Sequence, residues 1–70
     1  MAQAPTITKI NLNNASADDL MTIPEIDSEL AARIIKLRRA EGGFRSVDQL
    51  IHVPGMERRK FEKIKDYLEV

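Results

Sequence analysis

The chain has 70 residues, of which 43% are hydrophobic and 31% are charged. A domain of this size buries only about 60% of the surface that its unfolded chain exposes, which excludes a large enzyme core. The absence of cysteine excludes a disulfide framework and a cysteine zinc site. The formal net charge is zero, so the simplest argument for a nucleic-acid partner, a strongly basic domain, does not apply.

The charges are nevertheless unevenly distributed along the chain. Residues 1–32 hold one cation and five anions, whereas residues 33–70 hold ten cations and six anions. No apolar run is long enough for a membrane span, so we expect no membrane contact by this segment. The second half is therefore the place to look for a basic surface.

Residues 1–9 show neither helical nor strand periodicity and include Pro5, so we interpret them as a flexible arm. Within the arm, the small residues of Ala2-Gln3-Ala4 are typical of the end of an export signal, which favours an exported or periplasmic protein. The folded domain is predicted to span residues 10–70.

A repeat with a shift of thirty residues dominates the rest of the sequence. Residues 16–35 align with residues 46–65 without a gap. The identical pairs are Ser16/Ser46, Asp18/Asp48, Leu20/Leu50, Pro24/Pro54 and Ile34/Ile64. One supersecondary unit is therefore present twice.

Each unit predicts a short helix, a tight turn and a second helix. Ser16 and Ser46 are typical N-caps, with Asp19 and Gln49 placed to complete capping boxes. The prolines end the first helices near residues 22 and 52, because a residue before proline disfavours helical geometry. The second helices are predicted over 28–41 and 58–68, and Gly42 and Gly43 end the earlier one.

The apolar stripes of the second helices predict the core. They consist of Leu30, Ala31, Ile34, Ile35 and Leu37 in the first unit, and Phe61, Ile64, Tyr67 and Leu68 in the second. Because one such hairpin cannot bury its apolar face alone, we expect an all-α domain of four to five helices. Its two hairpins are expected to pack about a pseudo-twofold axis, with both turns on one side.

These residues resemble tandem helix-hairpin-helix motifs. The turns of the two motifs are Leu20-x-x-Ile23-Pro24-Glu25-Ile26-Asp27 and Leu50-x-x-Val53-Pro54-Gly55-Met56-Glu57. With the leading segment INLNNASADDL and the joint GGFRSVDQL, residues 10–70 are similar to the DNA-binding domain of the ComEA competence family. The resemblance implies a SAM-domain-like architecture and sequence-independent binding of duplex DNA in DNA uptake, with no cofactor or metal.

Each turn in that family has the form Gly-hydrophobic-Gly. Glycines allow a tight turn that approaches a phosphate, which then accepts hydrogen bonds from amides at the positive end of the next helix. This sequence departs from the pattern, because Glu25 and Asp27 replace both glycines of the first turn and Glu57 replaces one of the second. A carboxylate repels phosphate, and Asp27 is also placed to cap its own helix. The first turn is therefore predicted not to bind anions.

The second turn is the predicted DNA-binding site. It retains one glycine, Gly55, for which we expect a positive φ, and is followed by several cations within the first turns of the next helix. The predicted site comprises Gly55, Met56, Glu57, Arg58, Arg59, Lys60 and Lys63, with the amides of residues 56–59 expected to bind phosphate. An ordinary solvated basic helix face is the alternative interpretation of these cations.

Other charged residues carry weaker signals. A second basic group consists of Arg33, Lys36, Arg38, Arg39 and Arg45, for which solvent exposure is the simplest interpretation. His52 stands alone and is interpreted as a surface residue, so no metal site is predicted. No constellation of residues indicates catalysis, and the chain is not expected to be an enzyme.

Two functions remain open on the sequence alone. The first is a module that binds duplex DNA mainly through the second hairpin. The alternative is a protein-interaction or structural module that keeps the scaffold without the DNA function, because a fold does not fix a function.

Overall fold

A computed structural model describes residues 9–70 of the chain. The predicted arm, apart from Lys9, and the Ala2-Gln3-Ala4 fragment lie outside the described residues. Strand β1 (Ile10–Asn11) precedes helices α1 (Ala17–Met21) and α2 (Ser28–Glu41). A 3₁₀ helix (Val47–His52), helix α3 (Arg58–Ile64), a second 3₁₀ helix (Lys65–Tyr67) and strand β2 (Leu68–Glu69) follow. The fold is the small helical domain that the repeat predicted.

The two strands are a small addition to the predicted all-helical domain. They pair in parallel, with Ile10 opposite Leu68 and Asn11 opposite Glu69. The prediction of one helix over about 58–68 is therefore wrong only at Leu68. Helix α3 ends at Ile64, and the second 3₁₀ helix continues to Tyr67. Leu68 leaves the helical path to pair beside Ile10 and is only 2% exposed there. The pairing holds the two ends of the domain together.

The two hairpin turns have the same backbone geometry at equivalent residues. Glu25 and Gly55 both adopt positive φ angles, of 76° and 87°. The amide two residues after each proline donates to a carbonyl three residues before it, Ile26 to Ile23 at 3.2 Å and Met56 to Val53 at 2.9 Å. The repeat in the sequence is thus a repeat in the structure.

One core serves both units. The equivalent pairs Leu20/Leu50 and Ile34/Ile64 are completely buried, and Ile23/Val53 are 2% exposed. Leu30, Ala31, Phe61 and Leu68 of the predicted stripes are buried, and Ile35, Leu37 and Tyr67 are half-buried. Every residue predicted for the core thus packs in it or against it.

The caps begin the helices where the sequence predicts them. The Ser16 hydroxyl accepts from the Asp19 amide at 3.1 Å, and the Asp19 carboxylate accepts from the Ser16 amide at 3.2 Å. In the second unit, the Gln49 side chain accepts from the Ser46 amide at 3.2 Å. The short first helices therefore begin at fixed residues despite their few turns.

The second hairpin turn lies beside the first unit. Arg33 of α2 donates from Nη1 to the Pro54 carbonyl at 3.3 Å and from Nη2 to the Glu29 carboxylate at 3.2 Å. Glu29 is in the first turn of α2, directly after the first hairpin. This contact agrees with the expectation that the two turns share one side of the domain.

Gly55 has the positive φ that the turn was expected to require. We expect Gly55→Val to lower the free energy of unfolding by about 2 kcal/mol, because a β-branched residue is strained at this φ. Glu57→Val is the control, since Glu57 has an extended backbone with φ −92° and its side chain caps nothing. Chemical denaturation of both variants measures the difference. Equal stability of the two variants would contradict this description of the turn.

Glu25 has a left-handed φ that few residues other than glycine adopt readily. We expect Glu25→Gly to raise the free energy of unfolding by about 1 kcal/mol, because relief of strain exceeds the entropic cost of glycine. The melting temperature should rise by about 4 to 8 °C in thermal unfolding followed by circular dichroism. Glu57→Gly makes the same exchange at a negative φ and should give no increase. A similar change in both variants would refute strain at Glu25.

Candidate nucleic-acid interface

The second hairpin turn combines an exposed glycine with a buried anchor. Gly55 is exposed, whereas Met56 is only 9% exposed and packs in the core. The Met56 amide donates to the Val53 carbonyl at 2.9 Å. Met56 therefore holds the turn and does not offer a free amide, which differs from the expectation for residues 56–59.

Helix α3 begins without a side-chain cap. The side chain of its N-cap residue Glu57 accepts no hydrogen bond from the helix, because this longer side chain does not take the position that aspartate or serine takes. In residues 9–70, the backbone amides of residues 57–60 have no hydrogen-bond partner. These amides lie at the positive end of the helix dipole, where an anion is stabilised.

Four cations follow this helix start. Arg58, Arg59 and Lys63 are exposed and Lys60 is half-buried, and none of them forms an ion pair within the described part of the chain. The carboxylate on the same helix, Glu62, is bound by another residue, Lys65, at 2.8 Å. Hydrogen bonding and charge from Lys65, and to a smaller degree the charge of Arg58, lower the pKa of Glu62. The four predicted cations therefore keep their charges available.

The first hairpin differs from the second at its helix start. The Asp27 carboxylate accepts a hydrogen bond from the Leu30 amide at 2.8 Å. Asp27 and Glu25 are both exposed, so two negative charges lie on the turn. As expected from the sequence, Asp27 caps its own helix and occupies an amide that an anion would need.

The residues of the second basic group are not all solvent-exposed. Arg38 is half-buried and donates from Nη1 to the carbonyls of Leu12 at 3.0 Å and Ala15 at 2.7 Å. The interpretation of Arg38 as a solvated side chain is therefore wrong, because it joins α2 to the segment before α1. Lys36, Arg39 and Arg45 are exposed as interpreted.

Arg33 is the residue that the sequence did not connect with the second hairpin. Its contact with Pro54 joins residues 21 positions apart in the chain. No spacing in the sequence signals this contact, since it depends on how the two units pack. Next to it, Leu37, Ala40 and Pro54 line a shallow apolar depression of about 300 Å³, with Arg33 and Lys36 at its rim.

Within residues 9–70, no helix combines the length and the apolar character that a membrane span requires. The same residues contain no group of three or more histidine and carboxylate side chains that could hold a metal ion.

Comparison with known proteins gives relatives of larger size. The chain is 35% identical to endonuclease/exonuclease/phosphatase family domain-containing protein 1 of Xenopus laevis and 37% identical to that of Danio rerio. These matches cover 81% of this chain and 10% of each relative, so the chain spans about a tenth of their length. ComE operon protein 1 of Bacillus subtilis is 31% identical over 87% of this chain and 30% of its own length.

The family itself is established by a match over most of the chain. The family profile described as the helix-hairpin-helix motif matches residues 5–69. The match includes both hairpins, whose common backbone and common core are described above. The chain therefore belongs to the helix-hairpin-helix family.

Proposed function

We propose that this domain binds duplex DNA through its phosphate backbone, without sequence preference, and mainly through the second hairpin. Membership of the helix-hairpin-helix family and similarity to ComE operon protein 1 support nucleic-acid binding in general. A role in competence and DNA uptake is the narrower part of the proposal and rests on the resemblance to the ComEA competence family. The proposed contacts are Gly55, the amides of residues 57–59, and the side chains of Arg58, Arg59, Lys60 and Lys63.

The difference between the two helix starts carries the proposal. Each turn has the same backbone, but Asp27 caps the first helix whereas Glu57 leaves the second uncapped. An uncapped helix start has unsatisfied amide donors and a partial positive charge, and phosphate oxygens satisfy both. The exposed cations that follow add countercharges to the same place.

Electrostatics disfavours the first hairpin as a phosphate site. Two unit charges of the same sign 4 Å apart repel by about 1 kcal/mol in water and by about 4 kcal/mol at an effective dielectric constant of 20. Glu25 and Asp27 would both impose this repulsion on a phosphate at the first turn, whereas Glu57 alone would impose it at the second. The domain is therefore proposed to bind with one half, and phosphate contacts of this kind read no bases.

We propose no catalytic step for this domain. The relatives named for endonuclease, exonuclease and phosphatase domains match this chain over only a tenth of their length. In such a protein, the domain would bind DNA while other segments carry the activity.

A protein-interaction module is the second candidate. The observation in its favour is the first hairpin, whose exposed Glu25 and Asp27 suit a basic partner surface better than a phosphate. This candidate replaces the first if the chain fails to bind duplex DNA at low salt.

Duplex binding should be weak and strongly salt-dependent. If two to four phosphates are neutralised, log K should fall against log salt with a slope of roughly −2 to −4, and the dissociation constant at physiological salt should be about 10⁻⁵ M or weaker. Fluorescence anisotropy with a labelled random duplex of about 20 base pairs, long enough to cover several phosphates, measures both quantities.

The matched variants locate the binding surface. Arg58→Ala/Arg59→Ala/Lys60→Ala should abolish binding. Lys36→Ala/Arg39→Ala/Arg45→Ala removes the same charge from exposed positions elsewhere, and this variant should retain most of the DNA binding. Equal losses of affinity in both triple variants would contradict a site at the second hairpin. Absence of DNA binding by the wild type at about 50 mM salt would refute the proposed function, since low salt favours phosphate contacts.

Replacing both acidic residues of the first turn by glycine, as in the family pattern, should strengthen DNA binding. Glu25→Gly/Asp27→Gly removes two negative charges and frees the Leu30 amide, while glycine is tolerated at an N-cap. We expect about a tenfold gain in affinity and a steeper salt slope, because another phosphate contact forms.

Asp18→Asn/Glu41→Gln is the control for that gain. It removes two charges from exposed residues away from the turns and should give a smaller gain. A gain is a stringent test, because unfolding cannot produce one. Equal gains in the two double variants would show that net charge, and not the turn, controls binding.

A further inference from the structure

The guanidinium of Arg33, a residue of the first unit, lies beside the second hairpin. Arg33 lies in α2, and its Nη1 atom is 3.3 Å from the Pro54 carbonyl of the turn. A Cβ atom placed on Gly55 would be 2.5 Å from that same Nη1 atom. Glycine at position 55 therefore has two effects. It permits the positive φ, and it leaves room for the guanidinium of Arg33.

The Arg33 guanidinium donates two hydrogen bonds within the domain and retains further N–H donors. Nη1 donates to Pro54 and Nη2 donates to the Glu29 carboxylate at 3.2 Å. An arginine has five N–H donors, so three remain after these two hydrogen bonds. The Arg33 side chain is 42% exposed, which leaves the remaining donors accessible to a ligand on the hairpin.

The ion pair with Glu29 is one that a phosphate can replace. The Glu29 side chain is 72% exposed, and exposed pairs of this spacing are weak. A carboxylate and a phosphate can each offer two oxygen acceptors to a guanidinium, which binds either of them through two N–H groups. A phosphate at the second hairpin would therefore compete with Glu29 for Arg33.

We propose that Arg33 is a further phosphate-binding residue of the second hairpin, contributed by the first unit, and that Glu29 weakens binding by competing for it. The proposal rests on the proposed DNA function. It makes the phosphate site depend on the packing of the two units, because Arg33 comes from the first unit and the other proposed residues belong to the second. It also makes Glu29 a third acidic residue of the first unit that opposes DNA.

The test compares Arg33→Gln with Lys36→Gln in the duplex titration. Both variants remove one exposed or half-exposed cation from α2, but Lys36 forms no hydrogen bond or ion pair with the hairpin. We expect Arg33→Gln to weaken binding about tenfold at 50 mM salt and about threefold at 200 mM, with the slope of log K against log salt reduced by about 0.9. Lys36→Gln should change affinity less than twofold and leave the slope unchanged, because it neutralises no phosphate.

The slope separates a phosphate contact from a structural role. If Arg33 only supports the turn, Arg33→Gln lowers affinity without changing the slope, and the proposal is overturned. Arg33→Lys keeps one charge and should recover part of the affinity together with the slope. Thermal unfolding of each variant verifies that the compared proteins are folded.

Glu29→Gln tests the competition directly. It should strengthen DNA binding about threefold in the wild-type background. The gain should disappear in the Arg33→Gln background, because the guanidinium for which Glu29 and phosphate compete is then absent. An equal gain in both backgrounds would show that Glu29 acts only through its charge and would overturn its proposed role. Wild-type binding with no difference between Arg33→Gln and Lys36→Gln would refute this inference alone, whereas absence of wild-type binding would refute both the inference and the proposed function.

Discussion

The hydrogen bond between the Asp27 carboxylate and the Leu30 amide distinguishes two hairpin turns that otherwise share their backbone geometry. Both turns have a residue at positive φ, and both are followed by a helix. The first amides of a helix have no partner within it. In the first half the chain satisfies one of these amides with its own carboxylate. In the second half Glu57 caps nothing, so the helix start keeps its capacity to bind an anion.

The distribution of charge follows the same division. The first unit concentrates acidic residues at and just after its turn, while the second unit has four unpaired cations after its turn within residues 9–70. Packing then adds Arg33 of the first unit to the second turn. The two units thus differ in charge without a change of fold. The buried pairs Leu20/Leu50, Ile23/Val53, Ile26/Met56 and Ile34/Ile64 keep equivalent positions in the core.

The sequence predicted the repeated parts of this structure well. Periodicity, capping serines and prolines located the helices and the core, and Gly55 indicated a positive φ. The parallel strand pair was missed because it joins Ile10 to Leu68, a contact between the two ends of the domain that no local pattern encodes. The roles of Arg33 and Arg38 were missed for the same reason, since both reach residues more than twenty positions away.

The proposed function requires that the second hairpin binds DNA and that the first does not. An NMR titration of the ¹⁵N-labelled chain with a short duplex at low salt distinguishes the two hairpins, because it reports on each backbone amide. We expect chemical-shift changes concentrated at the amides of residues 55–60, with those of residues 25–30 nearly unchanged. Equal shifts at both turns, or shifts only away from them, would contradict it.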